Sequence, residues 1–312
     1  MKILQVGWAH PRNTEFMQRV AQKLGHTYVL ANQPQEGYDL IWSPSNWIDP
    51  DQFTNSKILF GPHFWVFPDV NHPFFTQVKP HHAKQCIFTC LSDWIIRLYG
   101  EFTPLEKSYI PFKALPFGLD IKATPKAEPE YDFLIYFKGR HPSVETFVKS
   151  IMDSIPMKYR IFSYGSYERS DYINTLQKTK AVIWIGSHES QGFALEECLA
   201  TGTPILVYDV KSMKDEYNNG SFIYLNKKEA LYATSAPYWD ARCGMKVYSS
   251  MEFLEKLPKF VEQLSSFRPA EYIQETLTDE VCFKRMMDAF SLQTHLQVPP
   301  SVQQTPEIAD LP

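Results

Sequence analysis

Two glutamates in this 312-residue chain, Glu189 and Glu197, carry the clearest signal for chemistry. They stand eight positions apart in residues 181–208, AVIWIGSHESQGFALEECLATGTPILVY. An apolar strand leaves through Gly186, a turn forms at Ser190-Gln191-Gly192, and a helix opens near Phe193. Gly202 ends the helix, and Thr203-Pro204 leads into the next strand. The amides of Gly192, Phe193 and Ala194 have no acceptor one turn back. With the helix dipole they make a site for an anion such as a diphosphate. Gly192 allows a ligand close to the backbone. Carboxylates accept charge-assisted hydrogen bonds from vicinal hydroxyls, so Glu189 in the loop and Glu197 in the helix can grip two polyols at once. Taken singly, each reads as a solvated loop or helix residue. The strand, turn and helix around both favour a binding role.

The elements needed to hold this segment are spread along the chain. Apolar runs at 2–7, 26–30, 38–42, 57–60 and 86–90 read as strands. Residues 14–24 have apolar groups at helical spacing closed by Gly25, and Ser92 caps a helix over 93–99. Residues 121–130, IKATPKAEPE, have no apolar period and read as a linker. The alternation then restarts, with strands at 132–137, 159–163, 181–185 and 204–208 and helices at 144–152, 172–178 and 192–200. The pattern predicts an α/β chain of two parallel-sheet, Rossmann-like halves facing a cleft. The expected domains are 1–121, a linker at 122–131, and 132–278. A terminal helix at 279–292 crosses back to the first half, and residues 293–312 form a disordered tail.

The string from Glu189 to Pro204 resembles the paired-glutamate motif of retaining GT-B glycosyltransferases of the family-four (group 1) type. Ala194 and Cys198 depart from that motif, and Glu196 adds a charge. The resemblance implies a catalytic Glu189 on the donor-sugar hydroxyls and Glu197 on the ribose. Lys138 and Arg140, after the first strand of the second half, look like the family's basic element for the donor diphosphate. Residues 161–166, with Tyr164 and Gly165, resemble the turn that faces the nucleotide base, and Pro116-Phe117-Gly118-Leu119-Asp120 resembles the hinge before the linker. The first half, which in this family reads the acceptor, carries Gly7-Trp8-Ala9-His10 where a glycine-rich loop is usual. His63 is its first-choice functional residue, also assigned to catalysis, and His10 the second. The function implied is transfer of a hexose or pentose from a UDP- or GDP-sugar to a glycan or other hydroxyl acceptor. It proceeds with retention, without metal or cofactor, and with no protein nucleophile. The alternatives are a catalytically silent nucleotide-sugar-binding module, a nucleotide-sugar epimerase or a phosphorylase.

Bulk properties exclude other classes. Hydrophobic residues make up 44% and charged residues 21%, an ordinary globular balance. The net charge of -4 gives no general drive toward nucleic acid. No apolar run reaches the roughly 20 residues of a membrane span. The N-terminus lacks a secretory signal, and five cysteines suit a reducing compartment, so a cytoplasmic location is expected. The spacing of His63, His72, His81 and His82 fits no common zinc pattern. Asp49-Pro50-Asp51 reads as a turn rather than a metal-binding pair. No glycine-rich fingerprint follows the first strand, which argues against a dinucleotide-dependent oxidoreductase.

Overall fold

Several of the strands have no polar face to offer water, as befits strands buried in a parallel sheet. In a computed structural model, described over residues 1–63, 66–105, 108–120 and 127–291, the first half is one parallel sheet. Its strands are β1 (Lys2–Val6), β2 (Thr27–Ala31), β3 (Leu40–Ser43), β4 (Lys57–Phe60), β5 (Cys86–Cys90) and β6 (Phe112–Ala114), in the order β2-β1-β3-β4-β5-β6. Helices α1 (Pro11–Lys23), α2 (Pro73–Thr76) and α3 (Asp93–Gly100) connect them. The second half contains β7 (Tyr131–Lys138), α4 (Pro142–Asp153), β8 (Tyr159–Ser163), α5 (Arg169–Gln177), β9 (Thr179–Gly186), α6 (Phe193–Ala200) and β10 (Ile205–Tyr208). A short hairpin, β11 (Tyr217–Asn218) and β12 (Ser221–Phe222), precedes β13 (Gly244–Val247). The sheet order here is β13-β10-β9-β7-β8. Both halves therefore wind the same way, with the order reversing between β1 and β3 and between β7 and β9.

Helix α1 begins at Pro11 because His10 Nδ1 accepts the Arg12 N–H at 3.2 Å, and α4 repeats the device with His141 and the Ser143 N–H at 3.2 Å. These histidine-proline caps start both helices earlier than apolar spacing alone indicates. Ser92 does not cap α3. Its hydroxyl donates to the Ser190 carbonyl at 2.6 Å in the other half.

The sequence reading assigns no element between 209 and 277. The structure places β11 to β13, α7 (Ser250–Glu262) and α8 (Pro269–Thr276) there. Pro258 inside α7 breaks the helical pattern, and β13 is a four-residue stretch, Gly-Met-Lys-Val, too short and interrupted by a lysine to stand out as an apolar run. The last helix, α9 (Asp279–Ser291), packs on α1 of the first half. Its buried Asp279 receives Arg19 at 2.9 and 3.0 Å and Lys23 at 2.9 Å. Most of the linker (122–126), residue 292 and the tail at 293–312 lie outside the described residues. All five cysteines are buried. No helix among the described residues is long and apolar enough to cross a membrane.

Candidate active site

Doubly wound sheets bind ligands beyond the carboxyl ends of their strands, where the strand order reverses. A cavity of about 400 Å³ occupies that place in both halves at once. Trp8, His10 and Arg12 reach it after β1, and Ser45 after β3. Lys138 reaches it from the end of β7, and Glu189 from the loop after β9. Gly192, Phe193, Ala194 and Glu197 supply the α6 wall, and Tyr164 and His63 also line it.

Glu189 is fixed by both halves. Its N–H donates to the Thr234 carbonyl at 3.0 Å, and Trp94 Nε1 donates to its carbonyl at 2.9 Å. The following turn is tied to the hinge before the linker. Gln191 donates to the Phe117 carbonyl at 2.6 Å and accepts the Phe117 N–H at 2.9 Å. Gly192 has φ +95°, and an added Cβ would lie 3.3 Å from the Glu189 Cβ, so this glycine is what lets the carboxylate stand over the helix start.

Lys138 Nζ donates to Glu189 Oε1 at 2.8 Å and lies 4.5 Å from the Tyr164 ring centroid. Burial pulls the Lys138 pKa down, but the Glu189 carboxylate more than offsets it and the net shift is upward. Lys138 is therefore held as an ammonium. Glu197 Oε1 accepts from Arg12 Nη2 at 2.5 Å and from Arg169 Nε and Nη2 at 3.0 and 2.6 Å. Glu196, one position earlier, points into the core. Burial raises its pKa well above the usual range, and its carboxyl accepts from Gln191 at 3.0 Å.

Arg140 does not join Lys138. Gly139, at φ +60°, breaks the strand alternation, so two residues that would share a face in an extended strand diverge. Arg140 is buried and donates to the Gly186 and Tyr208 carbonyls at 3.1 and 3.2 Å, away from the cavity. Its expected role on the diphosphate is corrected here to one of bracing β9 against β10. Gly165 forms the turn after Tyr164 and is not part of the cavity wall.

His63 reaches the wall but packs among aromatic rings, 4.8 Å from Phe74 and 5.1 Å from Phe88. Burial, with a smaller contribution from His72, lowers its pKa to about 3, so it faces the cavity as a neutral imidazole. His81 and His82 lie elsewhere, with Nε2 atoms 2.6 and 3.1 Å from Asp51 Oδ1. His82 Nδ1 accepts the Lys79 N–H at 3.1 Å, which puts the ring proton on Nε2. That atom therefore donates to Asp51 rather than offering a lone pair to a cation. Asp49 caps the turn through the Asp51 N–H at 3.1 Å.

No family model matches the chain, and no curated protein matches it in sequence. Solved structures do match. A glycosyltransferase from Rickettsia africae ESF-5 superposes with a TM-score of 0.53 at 12% identity, over 95% of this chain and 99% of that one. The GtfA/B complex superposes with a TM-score of 0.50 at 12% identity, over 89% of this chain and 60% of that one. At such identities the likeness is one of fold. The fold is that of the GT-B glycosyltransferases.

Within this GT-B cleft, sequence reasoning missed Arg12 and Arg169. Both sit in the first turn of a helix, α1 and α5, where neither motif nor period marks them. Their location was the available signal, since Arg12 follows the carboxyl end of the first strand, the edge from which such folds bind ligands.

Proposed function

We propose that this protein transfers a sugar from a nucleoside diphosphate donor, a UDP- or GDP-sugar, to a hydroxyl of a glycan or small acceptor. The observation carrying this reading is the convergence of Glu189, Lys138 and Glu197 on one cavity beside the first-turn amides of α6. A departing nucleoside diphosphate is an anion, and preorganised cations and amides aimed at it lower the barrier to its leaving. Lys138 and the amides of Gly192, Phe193 and Ala194 take that role. Glu197 receives the ribose hydroxyls and Glu189 those of the sugar. The acceptor enters from the first half, past Trp8 and neutral His63, which can hold its hydroxyl by a hydrogen bond. On this reading the acceptor approaches the face the diphosphate leaves, so the anomeric configuration is retained. The leaving charge is met by side chains and amides, so turnover continues in a metal chelator.

The test is product formation from candidate nucleotide sugars and a panel of hydroxyl acceptors, with and without EDTA, and the product anomer read by NMR. Donor conversion without any acceptor would instead identify an epimerase. Donor binding without transfer or hydrolysis would identify a silent module. Inversion at the anomeric carbon would overturn the retaining assignment.

A further inference from the structure

Among the described residues lining the cavity, Arg12, Lys138 and Arg169 face Glu189 and Glu197. Lys138 and Glu189 neutralise each other at 2.8 Å. Arg12 and Arg169 both address the same oxygen of Glu197, through three N–H groups at 2.5, 3.0 and 2.6 Å. One carboxylate oxygen offers about two lone-pair sites, so the three donors crowd it. Two guanidiniums beside one carboxylate also leave an excess positive charge at this point. The two arginines differ in setting. Arg169 extends into solvent with 63% of its side chain exposed, whereas Arg12 is 22% exposed. The Arg12 guanidinium lies 5.0 Å over the ring of Phe193, the first residue of α6. It therefore stands against the side chain that opens α6, the helix whose first-turn amides the proposed function assigns to the diphosphate. Arg140, the second cation expected from the sequence, is committed to backbone carbonyls elsewhere.

We propose that Arg12, from the first half, is the second cation for the donor diphosphate, and that it exchanges Glu197 for the diphosphate when donor binds. This rests on the donor reading above. The exchange leaves Glu197 with Arg169 and an oxygen able to accept the ribose hydroxyls. It makes ribose recognition conditional on the diphosphate, because a nucleoside alone must compete with Arg12 for Glu197. It also gives the acceptor half a direct hold on the donor.

The test is calorimetric binding of uridine and guanosine, their monophosphates and their diphosphates to the wild type and to Arg12→Ala, Arg12→Gln, Arg12→Lys and Arg169→Ala. The proposal predicts opposite signs. Arg12→Ala weakens the preferred diphosphate about tenfold or more, the scale of one lost charge-assisted contact. The same variant leaves nucleoside affinity unchanged or tightens it, because Glu197 is released. Arg12→Lys recovers part of the diphosphate affinity, and Arg169→Ala changes the diphosphate-to-nucleoside ratio less than Arg12→Ala does. Arg12→Gln keeps part of the stem over Phe193 and gives the same readout if the alanine variant folds poorly. Equal weakening of nucleoside and diphosphate would reduce Arg12 to a packing residue and overturn the proposal while the donor reading stands. An unchanged diphosphate preference would do the same. If the wild type binds none of these diphosphates, the donor reading itself fails and the Arg12 assignment falls with it.

Discussion

The carboxylate of Glu189 projects from a peptide held on both sides, by the Thr234 carbonyl at 3.0 Å and the Trp94 indole at 2.9 Å, so its reach toward Lys138 is preset. Glu189→Gln keeps that shape and removes the charge. The expected result is loss of turnover by about 100-fold or more, the scale of losing one preorganised polar contact, with nucleoside diphosphate affinity little changed. Steady-state rates beside a binding isotherm check it. His63 gives a prediction in pH. Its native pKa of about 3 lies below the 6.5 of the free side chain. Between those values the unfolded chain binds a proton that the native protein refuses, so stability falls as the pH drops through this window. His63→Gln should flatten the stability profile there by about one proton, close to 1.4 kcal/mol per pH unit. Denaturant melts at several pH values measure it; a parallel profile would show that His63 is not held neutral. Type and spacing marked Glu189 and Glu197 in the sequence and the resemblance marked Lys138, and the structure brings the three to one cavity. That Arg12 lines this cavity and Arg140 does not was not legible. A sequence states charge but not direction, and one left-handed glycine at position 139 turned Arg140 away.

The turn into α6 concentrates the constraint on Gly192, where φ is +95° and an added Cβ would meet the Glu189 side chain. Gly192→Ala must accept both a left-handed backbone and a contact at 3.3 Å. A stability loss of about 1–2 kcal/mol is expected from the backbone alone. Turnover should fall further than stability implies, because relief of the contact moves Glu189. Parallel melts and rates distinguish the two effects, and a variant with normal turnover would separate Glu189 from the turn that carries it. Strands β1 to β5 and β7 to β10 were readable because their apolar runs mark parallel strands, whereas β6 and β11 to β13, of two to four residues, were not. Helix starts were less so, since His10 and His141 cap them with an imidazole nitrogen in place of the usual hydroxyl or carboxylate. Ser92 shows the converse error, a residue of the right type at the right place whose hydroxyl serves the other half.

Across the whole molecule, the two halves are joined by bonds between residues far apart in sequence. Gln191 clamps Phe117, the Glu101 carboxylate accepts the Leu231 and Tyr232 N–H groups at 2.8 and 3.2 Å, and Asp279 gathers Arg19 and Lys23. The hinge runs so close to α9 that a Cβ on Gly118 would lie 2.6 Å from the Asp279 Cα. Asp279→Ala removes a fully buried carboxylate from two partly exposed cations, and a loss of about 2–3 kcal/mol is expected by chemical denaturation. No loss would mean that the return of α9 to the first half rests on apolar packing alone. The two-half plan was legible because the strand and helix alternation stops at a proline-rich stretch and restarts. These crossing bonds were not, since nothing local pairs Arg19 with a residue 260 positions away. On the proposed function, the turn between Glu189 and Glu197 holds a nucleoside diphosphate sugar. The most direct measurement is a thermal-shift panel of UDP, GDP and ADP, free and sugar-linked, in EDTA, on the wild type and Glu197→Ala. A ligand bound only by the native state raises the melting temperature by mass action. The account predicts a clear rise with one nucleoside diphosphate and its sugar, undiminished by EDTA and absent in Glu197→Ala. No rise with any of them, or an equal rise in the variant, would contradict it.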